Sequence, residues 1–264
     1  MNQKENMQFK LNRAYLSIAT LLAAFSMNAL AAEDEIQVYT DEMNEVGQYG
    51  VETHINYVPK GSRELSHAGE IPSNHRFQVT PEFSYGISKS LEAGLYVPLA
   101  MSDDGNFYAT GLRPRLKYIH QPDVPSIFFW GLNTEFGYST LKVTDTMWGM
   151  ELRPIMGIRT DKWLVSFNPI INVPLSKGGA RAAEFEPALK VSRKVNEDLE
   201  LGFEHYSGYG PLRDLQGYKN QEHTVYATAD FNVKGMEVNF GVGRGYHNGE
   251  DDWILKSIIA FPFN

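Results

Sequence analysis

The sequence predicts an all-β fold, a single antiparallel transmembrane β-barrel of about twelve strands. From Gly47 onward, apolar and polar residues alternate in runs of about 10–13 residues, the length that a tilted transmembrane strand needs. The connections between these runs alternate between short turns and mostly longer loops, with 103–106 as a short exception among the loops. After residue 31, no stretch approaches the roughly 18 consecutive apolar residues of a membrane helix. The mean hydropathy of −0.34 agrees with strands that have one polar face.

The first 31 residues have the three parts of a secretory signal peptide. Lys4, Lys10 and Arg13 form a basic region, and the apolar stretch 16–30 that follows is too short to span a membrane. An Ala-Leu-Ala sequence ends at Ala31, so we predict cleavage after this residue. The length of the apolar stretch disfavours the alternative, a retained membrane anchor.

The mature chain is acidic and contains no cysteine. The formal net charge is −8, and residues 1–31 carry +2 of it, so the mature chain carries −10. This charge argues against a nucleic-acid partner. Without cysteine the chain has no disulfide, no thiolate nucleophile and no cysteine-based metal site. Residues 32–46 are acidic, and we expect them to lie in the periplasm before the first strand.

Twelve alternating runs make up the predicted barrel domain, residues 47–264. In the first run, Tyr49, Val51 and Tyr57 alternate with Glu52 and His54. Nearly every run combines such an apolar row with a row of polar or small residues. The predicted runs are 49–57, 77–87, 91–99, 108–118, 128–136, 148–158, 163–173, 184–195, 199–204, 225–232, 236–242 and 253–263.

The connections predict the orientation of the barrel. Short turns at 88–90, 160–162 and 234–235 alternate with longer loops such as 59–74 and 208–221. Short periplasmic turns and longer external loops are typical of membrane barrels, and an even number of strands places both chain ends in the periplasm. A soluble β-sandwich would use shorter strands, and a lipocalin-like barrel would turn its apolar rows inward.

The last run, WILKSIIAFPFN, carries an apolar row that includes Trp253, Leu255 and Phe263. It resembles the closing strand of the β-barrels of the Gram-negative bacterial outer membrane. The resemblance implies pairing with the first strand, contact with outer-membrane lipids and a signal read by the barrel-assembly machinery. Asn264 departs from the pattern, because the family usually ends on the aromatic residue.

The rows opposite the apolar ones are predicted to face the lumen, where charges need partners. One interpretation is an ionic network that braces a narrow barrel, with Lys256 as a candidate partner of Glu52. The other is an acidic surplus that lines a path for cations or polar solutes. Twelve strands lie between filled and open barrels, so the strand number does not decide permeability. The predicted lumen-lining residues are Glu52, Glu82, Arg113, Arg115, Lys117, Glu135, Glu151, Arg153, Glu184, Glu186, Glu204 and Lys256.

One stretch has the residue types of a hydrolase. His205 and Ser207 are two residues apart, so their side chains share a face, and the phase of the predicted strand makes it the lipid-facing one. Asn220 or Glu222 is a candidate to orient the histidine. The pair resembles the His-x-Ser site of outer-membrane phospholipase A and of lipid A deacylases. Gly208 departs from the phospholipase pattern, which has Asn after the serine. A lipid esterase is therefore an alternative function, and we expect that the protein is not an enzyme.

The same stretch supports a second resemblance. The sequences FEHYSGYGPL and NQEHTVYATADFNV, with LRPRLKY, ELRPIMG and EFEPALKV, are similar to the MetA-like outer-membrane barrels grouped with the phenol meta-pathway and to transporter-type barrels. The elements fall on Glu204, Tyr206, Gly210-Pro211-Leu212, Gln221 and His223. This resemblance implies a transport-type barrel with no established substrate.

Other polar residues do not form a recognisable site. His54 and His75 could approach each other, but no group of residues has the spacing of metal ligands, so we expect no metal and no cofactor. The sequence thus predicts an outer-membrane channel or transport-associated barrel for small solutes of unknown identity. A structural barrel with a plugged lumen and the lipid hydrolase remain as alternatives.

Overall fold

The structure, a computed structural model, describes residues 34–176, 182–246 and 251–261. The predicted signal peptide and the chain end with Phe263 and Asn264 lie outside the described residues. The described residues form one closed antiparallel barrel of twelve strands, which confirms the predicted fold class.

The barrel wall consists of sixteen hydrogen-bonded segments. They are β1 (Tyr49–Lys60), β2 (Phe77–Ser88), β3 (Leu91–Tyr96), β4 (Leu99–Met101), β5 (Phe107–Ala109), β6 (Gly111–Ile119), β7 (Phe128–Ser139), β8 (Trp148–Arg159), β9 (Trp163–Asn168), β10 (Ile171–Pro174), β11 (Glu184–Phe185), β12 (Ala188–Asn196), β13 (Leu199–Gly208), β14 (Glu222–Val233), β15 (Met236–Tyr246) and β16 (Trp253–Phe261). One turn of 3₁₀ helix, Tyr218–Asn220, precedes β14. No helix in the described ranges is long and apolar enough to cross a membrane.

Four of the twelve barrel strands are each built from two segments. Pro98, Pro169 and Pro187 lie in three of the four interruptions, where a residue without an N–H cannot donate to the ladder. The wall continues across the breaks, because the Thr110 N–H donates to the Pro98 carbonyl at 2.9 Å and the Glu186 N–H donates to the Ile170 carbonyl at 3.0 Å. The sixteen segments thus give the twelve predicted strands.

The first and last strands close the barrel. β1 pairs with β2 on one side and with β16 on the other, in a register that places Val51 opposite Phe261 and Ile55 opposite Ser257. Closure leaves no free strand edge, so the backbone polar groups of the wall bond within the sheet, as a lipid environment requires.

The two faces of the wall have the predicted orientation. On β2, Gln78, Thr80 and Glu82 are buried inside the barrel, whereas Phe83 is 49% exposed on the outside. Phe203 on β13 is 65% exposed. The apolar rows therefore face outward, which excludes the lipocalin-like alternative.

The two ends of the barrel differ in their connections. Turns of two or three residues, such as 89–90 and 234–235, lie at what we call the short-turn end, and loops such as 61–76 and 209–221 lie at the long-loop end. The four tryptophans are exposed and divide between the ends. Trp130 and Trp163 lie near the short-turn end, and Trp148 and Trp253 lie near the long-loop end. Two aromatic belts of this kind mark the interfaces of membrane barrels.

The N-terminal segment, residues 34–46, does not lie where we expect it from the sequence. The sequence predicts that residues 32–46 lie in the periplasm before the first strand, but the described residues 34–46 run inside the barrel. Ile36, Val38 and Tyr39 are each at most 5% exposed. Their apolar side chains are removed from water against the inner wall, which is favourable, and this burial explains the difference.

The register of closure predicts which cysteine pair will form a disulfide in a chain that has no cysteine of its own. We expect the Thr53→Cys/Ile259→Cys protein to form an intramolecular disulfide on mild oxidation, because these residues are opposite each other on β1 and β16. Thiol titration of the folded protein measures the yield. The control pair, Thr53→Cys/Ser257→Cys, is displaced by two residues and is out of reach at about 7–8 Å. Equal yields from the two pairs would contradict the register.

Candidate functional site in the barrel lumen

The structure places all twelve predicted lumen residues on the inner wall, and most of them are in ionic clusters. In the first cluster, Arg115 of β6 bonds to Glu92 on the neighbouring β3 and to Glu82 on β2, one strand further. Arg115 Nε lies 2.7 Å from a Glu82 oxygen, and Lys117 Nζ lies 3.3 Å from Glu92. His54 Nε2 approaches the second Glu82 oxygen at 3.2 Å.

Glu52 completes a group with His54 and Glu82 whose candidate ligand atoms all lie within 4.8 Å of one another. Two carboxylates and one imidazole could in principle hold a metal ion. However, Glu82 already pairs with the Arg115 guanidinium, and a second cation beside that pair would be repelled. We therefore treat His54 and Glu82 as part of the ionic network, with Glu52 beside them. His75 lies elsewhere, with its Nδ1 2.9 Å from Asp103 in the loops.

The second cluster joins the wall to the N-terminal segment. Arg113 Nη1 lies 3.0 Å from Asp34, and Arg113 Nε lies 3.5 Å from Glu135 on the wall. Arg153 bonds to Glu151 at 2.6 Å and to Glu35 at 3.3 Å. Each arginine therefore pairs with a carboxylate of the wall and with at least one of the segment, since Arg113 also lies 3.9 Å from Glu35.

The third cluster surrounds Glu204 on β13. Lys256 Nζ bonds to Glu204, the Tyr206 hydroxyl donates to Glu204 at 2.7 Å, and Lys190 lies 3.5 Å from it. Our prediction that Lys256 pairs with Glu52 is wrong. The β1–β16 register places Lys256 beside Asn56 and Glu52 beside Ala260, four residues further along the strand. Four residues of strand span about 13 Å, too far for an ion pair.

The N-terminal segment runs along the barrel axis. Near the long-loop end, Ile36 packs against Val58 and Ile254, and its carbonyl accepts a 2.9 Å hydrogen bond from Lys256. Near the short-turn end, the Asn44 N–H donates to Glu92 at 2.7 Å. The segment thus occupies most of the length of the lumen.

Gly47 turns the chain from the segment into β1. Its φ of 82° lies in the left-handed region, which favours glycine over residues with a Cβ. The Gly47 N–H donates to the Gly86 carbonyl at 2.8 Å, and the Gly86 N–H donates to Gln48 at 3.0 Å. The segment therefore enters the lumen from the short-turn end.

The backbone of Tyr39 is held by two residues of β9. The Tyr39 N–H donates to Asn168 Oδ1 at 2.7 Å. The Tyr39 carbonyl accepts hydrogen bonds from Ser166 Oγ at 2.5 Å and from Asn168 Nδ2 at 3.1 Å. Because the segment forms no ladder of its own, these side chains satisfy backbone groups that burial would otherwise leave unpaired.

The ring of Tyr39 lies inside the lumen, against the inner wall. It packs against an apolar cluster on the inner wall, Ile119, Phe129, Ile155 and Leu164. The Arg153 guanidinium lies 4.5 Å from the ring centroid, a cation–π distance. The hydroxyl of Tyr39 also contacts the hydroxyl of Tyr96 on β3. Tyr39 therefore connects the segment to five consecutive segments of one side of the wall, β3, β6, β7, β8 and β9.

A cavity of about 890 Å³, which we call the vestibule, lies beside the segment toward the short-turn end. Twelve acidic and four basic residues line it. Six of these carboxylates form no ion pair with any described residue. They are Glu45, Glu52, Glu197, Asp198, Glu200 and Glu237. The vestibule therefore has a strongly negative potential.

The predicted catalytic residues have other partners. His205 and Ser207 are on the outward face of β13, as predicted, but His205 Nε2 lies 3.1 Å from His223 Nδ1 and 3.3 Å from the Tyr246 hydroxyl. The Ser207 hydroxyl donates to the Pro187 carbonyl at 3.1 Å. The serine therefore directs its proton toward the backbone.

The third candidate, Glu222, is on the opposite face of the sheet. In the β13–β14 register Ser207 is opposite His223 and Gly208 is opposite Glu222, so Glu222 points to the inside of the wall and His223 to the outside. The structure does not bring His205, Ser207 and Glu222 together as a triad.

The comparisons with known proteins identify the fold. No protein-family model matches the sequence, and no curated protein matches it. The solved structures that are similar include the COG4313 outer membrane channel from Pseudomonas putida F1, with a TM-score of 0.62 and 13% identity over 87% of this chain and 100% of that chain. The NanC porin has a TM-score of 0.54 and 8% identity over 81% of this chain and 99% of its own. The KdgM porin in complex with disordered oligogalacturonate has a TM-score of 0.52 and 10% identity, over 81% of this chain and 99% of its own. This chain therefore has the fold of outer-membrane β-barrel channels, and the narrower MetA-like grouping stays a prediction.

Sequence reasoning missed the residues that hold the segment. Tyr39, Tyr96, Ser166 and Asn168 are not among the predicted site residues, although Tyr96, Ser166 and Asn168 lie in the polar rows. A signal was present in the segment, because the apolar residues Ile36, Val38 and Tyr39 interrupt an otherwise acidic and polar stretch. A segment that lay free in the periplasm would have no surface against which to bury these three apolar side chains.

The third cluster predicts a large effect of one substitution. We expect Lys256→Met to lower the free energy of unfolding by about 3 kcal/mol, because it leaves the buried Glu204 without its closest cation. Unfolding by guanidinium in lipid vesicles, followed by tryptophan fluorescence, measures the change. The control is Lys60→Met, which removes the same charge from an exposed pair with Asp252. Equal effects of the two substitutions would show that the cluster does not stabilise the barrel.

Proposed function

We propose that the protein is an outer-membrane channel for small polar solutes and that its N-terminal segment holds it closed. The observation that carries this proposal is the occupation of a charged lumen by a segment that is not part of the wall. The aromatic belts, the apolar outer rows and the fold shared with outer-membrane channels support the location. With the short turns on the periplasmic side, as in other membrane barrels, the long loops face the cell exterior and the vestibule faces the periplasm.

The segment can leave the lumen without opening the wall. Residues 35–46 have no strand structure, and each wall strand is hydrogen-bonded to its neighbours independently of them. The segment is held by the Tyr39 contacts, by carboxylate–arginine pairs and by a few side-chain hydrogen bonds. These interactions can exchange for water or solute, which the wall ladder in lipid cannot do.

The alternative is a structural barrel that the segment plugs permanently. It would have the same contacts between segment and wall, but it predicts a completely filled lumen. A structural plug would fill the lumen to the packing density of a protein interior. The vestibule instead remains as a cavity of about 890 Å³ lined mainly by charged and polar groups. This residual space favours a path for solutes.

Tyr39 gives the first test of closure. We expect Tyr39→Ala to increase the open fraction in planar bilayers, because it removes the ring from its apolar cluster and from Arg153. A loss of about 2 kcal/mol from the closed state would raise a small open fraction about thirtyfold. The control is Tyr49→Ala, which truncates a tyrosine that is 68% exposed on the outer face. A folded Tyr39→Ala barrel that stays silent would favour the structural alternative.

The vestibule predicts which inorganic ions pass. In the Tyr39→Ala background we expect a preference for K⁺ over Cl⁻, because unpaired carboxylates concentrate cations in the vestibule. Adding Glu200→Gln and Glu237→Gln should lower this preference, measured as the reversal potential in a KCl gradient. Glu64→Gln removes an equal charge from an exposed loop and serves as the control. An unchanged reversal potential in the double variant would exclude these carboxylates as the selectivity determinants.

A further inference from the structure

The N-terminal segment is an acidic, extended chain that lies against three arginines of the wall. Asp34 lies 3.0 Å from Arg113, and Glu35 lies 3.3 Å from Arg153. At the other end of the segment, Asp41 lies 2.7 Å and Glu42 lies 2.9 Å from the same nitrogen of Arg159. Four of the five carboxylates between residues 34 and 45 therefore face a guanidinium.

The three arginines form a track that runs along the barrel axis. Arg113 is on β6 near the long-loop end, Arg153 is in the middle of β8, and Arg159 is the last residue of β8 at the short-turn end. Arg153 and Arg159 face the same side of the strand and are six residues apart, about 20 Å. We call Arg113, Arg153 and Arg159 the arginine track.

The track depends on the segment to different degrees along its length. Arg153 and Arg113 each also form an ion pair within the wall, which does not depend on the segment. Arg153 lies 2.6 Å from Glu151, and Arg113 lies 3.5 Å from Glu135. Arg159 has no carboxylate of the described wall within 4.0 Å, because both of its ion pairs are with the segment. When the segment leaves, Arg159 loses all of its ion pairs and Arg113 loses its shortest one.

The track also binds the uncharged oxygens of the segment. Arg153 Nη1 donates to the Gln37 carbonyl at 3.0 Å, and Lys256 donates to the Ile36 carbonyl on the opposite wall. An extended molecule with carboxylates and neutral oxygens at intervals matches these donors. A guanidinium binds carboxylates through a planar fork of N–H groups, which adds directional preference to charge.

We propose that the arginine track is a binding site for linear acidic solutes, short oligomers that carry carboxylates, and that the segment is a built-in substitute for such a solute. The proposal rests on the proposed channel function and names its solute class. The arrangement already accommodates a chain with five carboxylates within twelve residues. The acidic vestibule lies beside it, so small cations can accompany the oligomer through the lumen.

Direct binding tests this proposal on the full mature chain. Neutralising the segment with Asp34→Asn, Glu35→Gln, Asp41→Asn and Glu42→Gln weakens its hold without removing a residue. We expect this variant to bind hexaglutamate about tenfold more tightly than the parent protein, because the neutralised segment no longer competes for the arginines with charge-assisted hydrogen bonds. Titration calorimetry of the folded, detergent-solubilised protein measures the affinity.

Two arginine substitutions test the location of the site. Adding Arg113→Gln and Arg159→Gln to the neutralised variant should reduce hexaglutamate affinity by about tenfold or more. Adding Lys60→Gln, which removes a cation from the outer rim, should not change it. Hexaglutamine, which has the same backbone without charge, should not bind. A hexamer of galacturonate tests whether a sugar backbone serves as well as a peptide, and tighter binding of either acidic oligomer supports the shared chemistry.

The outcomes separate the two proposals. Absence of hexaglutamate and hexagalacturonate binding to the folded neutralised variant would overturn the acidic-solute site, even if the Tyr39→Ala protein conducts ions. Equal binding of hexaglutamine, or full affinity after loss of both arginines, would also overturn it. Binding by a barrel that never conducts would overturn the channel function and leave the acidic-solute site in place.

Discussion

The structure depends on one constraint, that the backbone polar groups of the wall find partners within the sheet. In lipid this requires a closed sheet, and the β1–β16 pairing provides the closure. Closure then determines the direction of every side chain, because a strand alternates between its two faces. The apolar rows face lipid, and the charged rows have no place other than the lumen. The ionic clusters around Arg115, Arg153 and Glu204 are therefore a consequence of closure.

These inward charges in turn determine what else can enter the barrel. A lumen lined with arginines and glutamates accepts a chain that brings matching charges, and residues 34–46 carry both carboxylates for the arginines and apolar groups for the cluster near Phe129. The acidic side of the lumen has no such partner, and there the vestibule remains. The position of the segment thus follows from the unequal distribution of charge on the inner wall.

Much of this fold could be predicted from the sequence because the period of two is a local property. Runs such as 77–87 show which residues share a face, and the structure agrees on β2. Pairings between distant residues are not local. Lys256 and Glu52 both point inward, but the distance between them along the barrel axis depends on the register of β1 against β16. Ser207 and His205 share a face, but the Pro187 carbonyl and His223 come from neighbouring strands and take their hydrogen bonds. The place of the segment depends on the whole inner wall, which no single stretch of sequence describes.

Gly47 would give the closed state that we propose a kinetic property. Only Gly47 and Gln48 separate the segment from β1, so a segment that has left the lumen remains tethered to the rim. Re-entry is then an intramolecular step, with an effective concentration in the millimolar range for a short flexible connection. An external competitor of equal intrinsic affinity would have to match this concentration to keep the proposed channel open. In the proposed channel, the tether would therefore make opening depend on how much solute is present as well as on how tightly it binds.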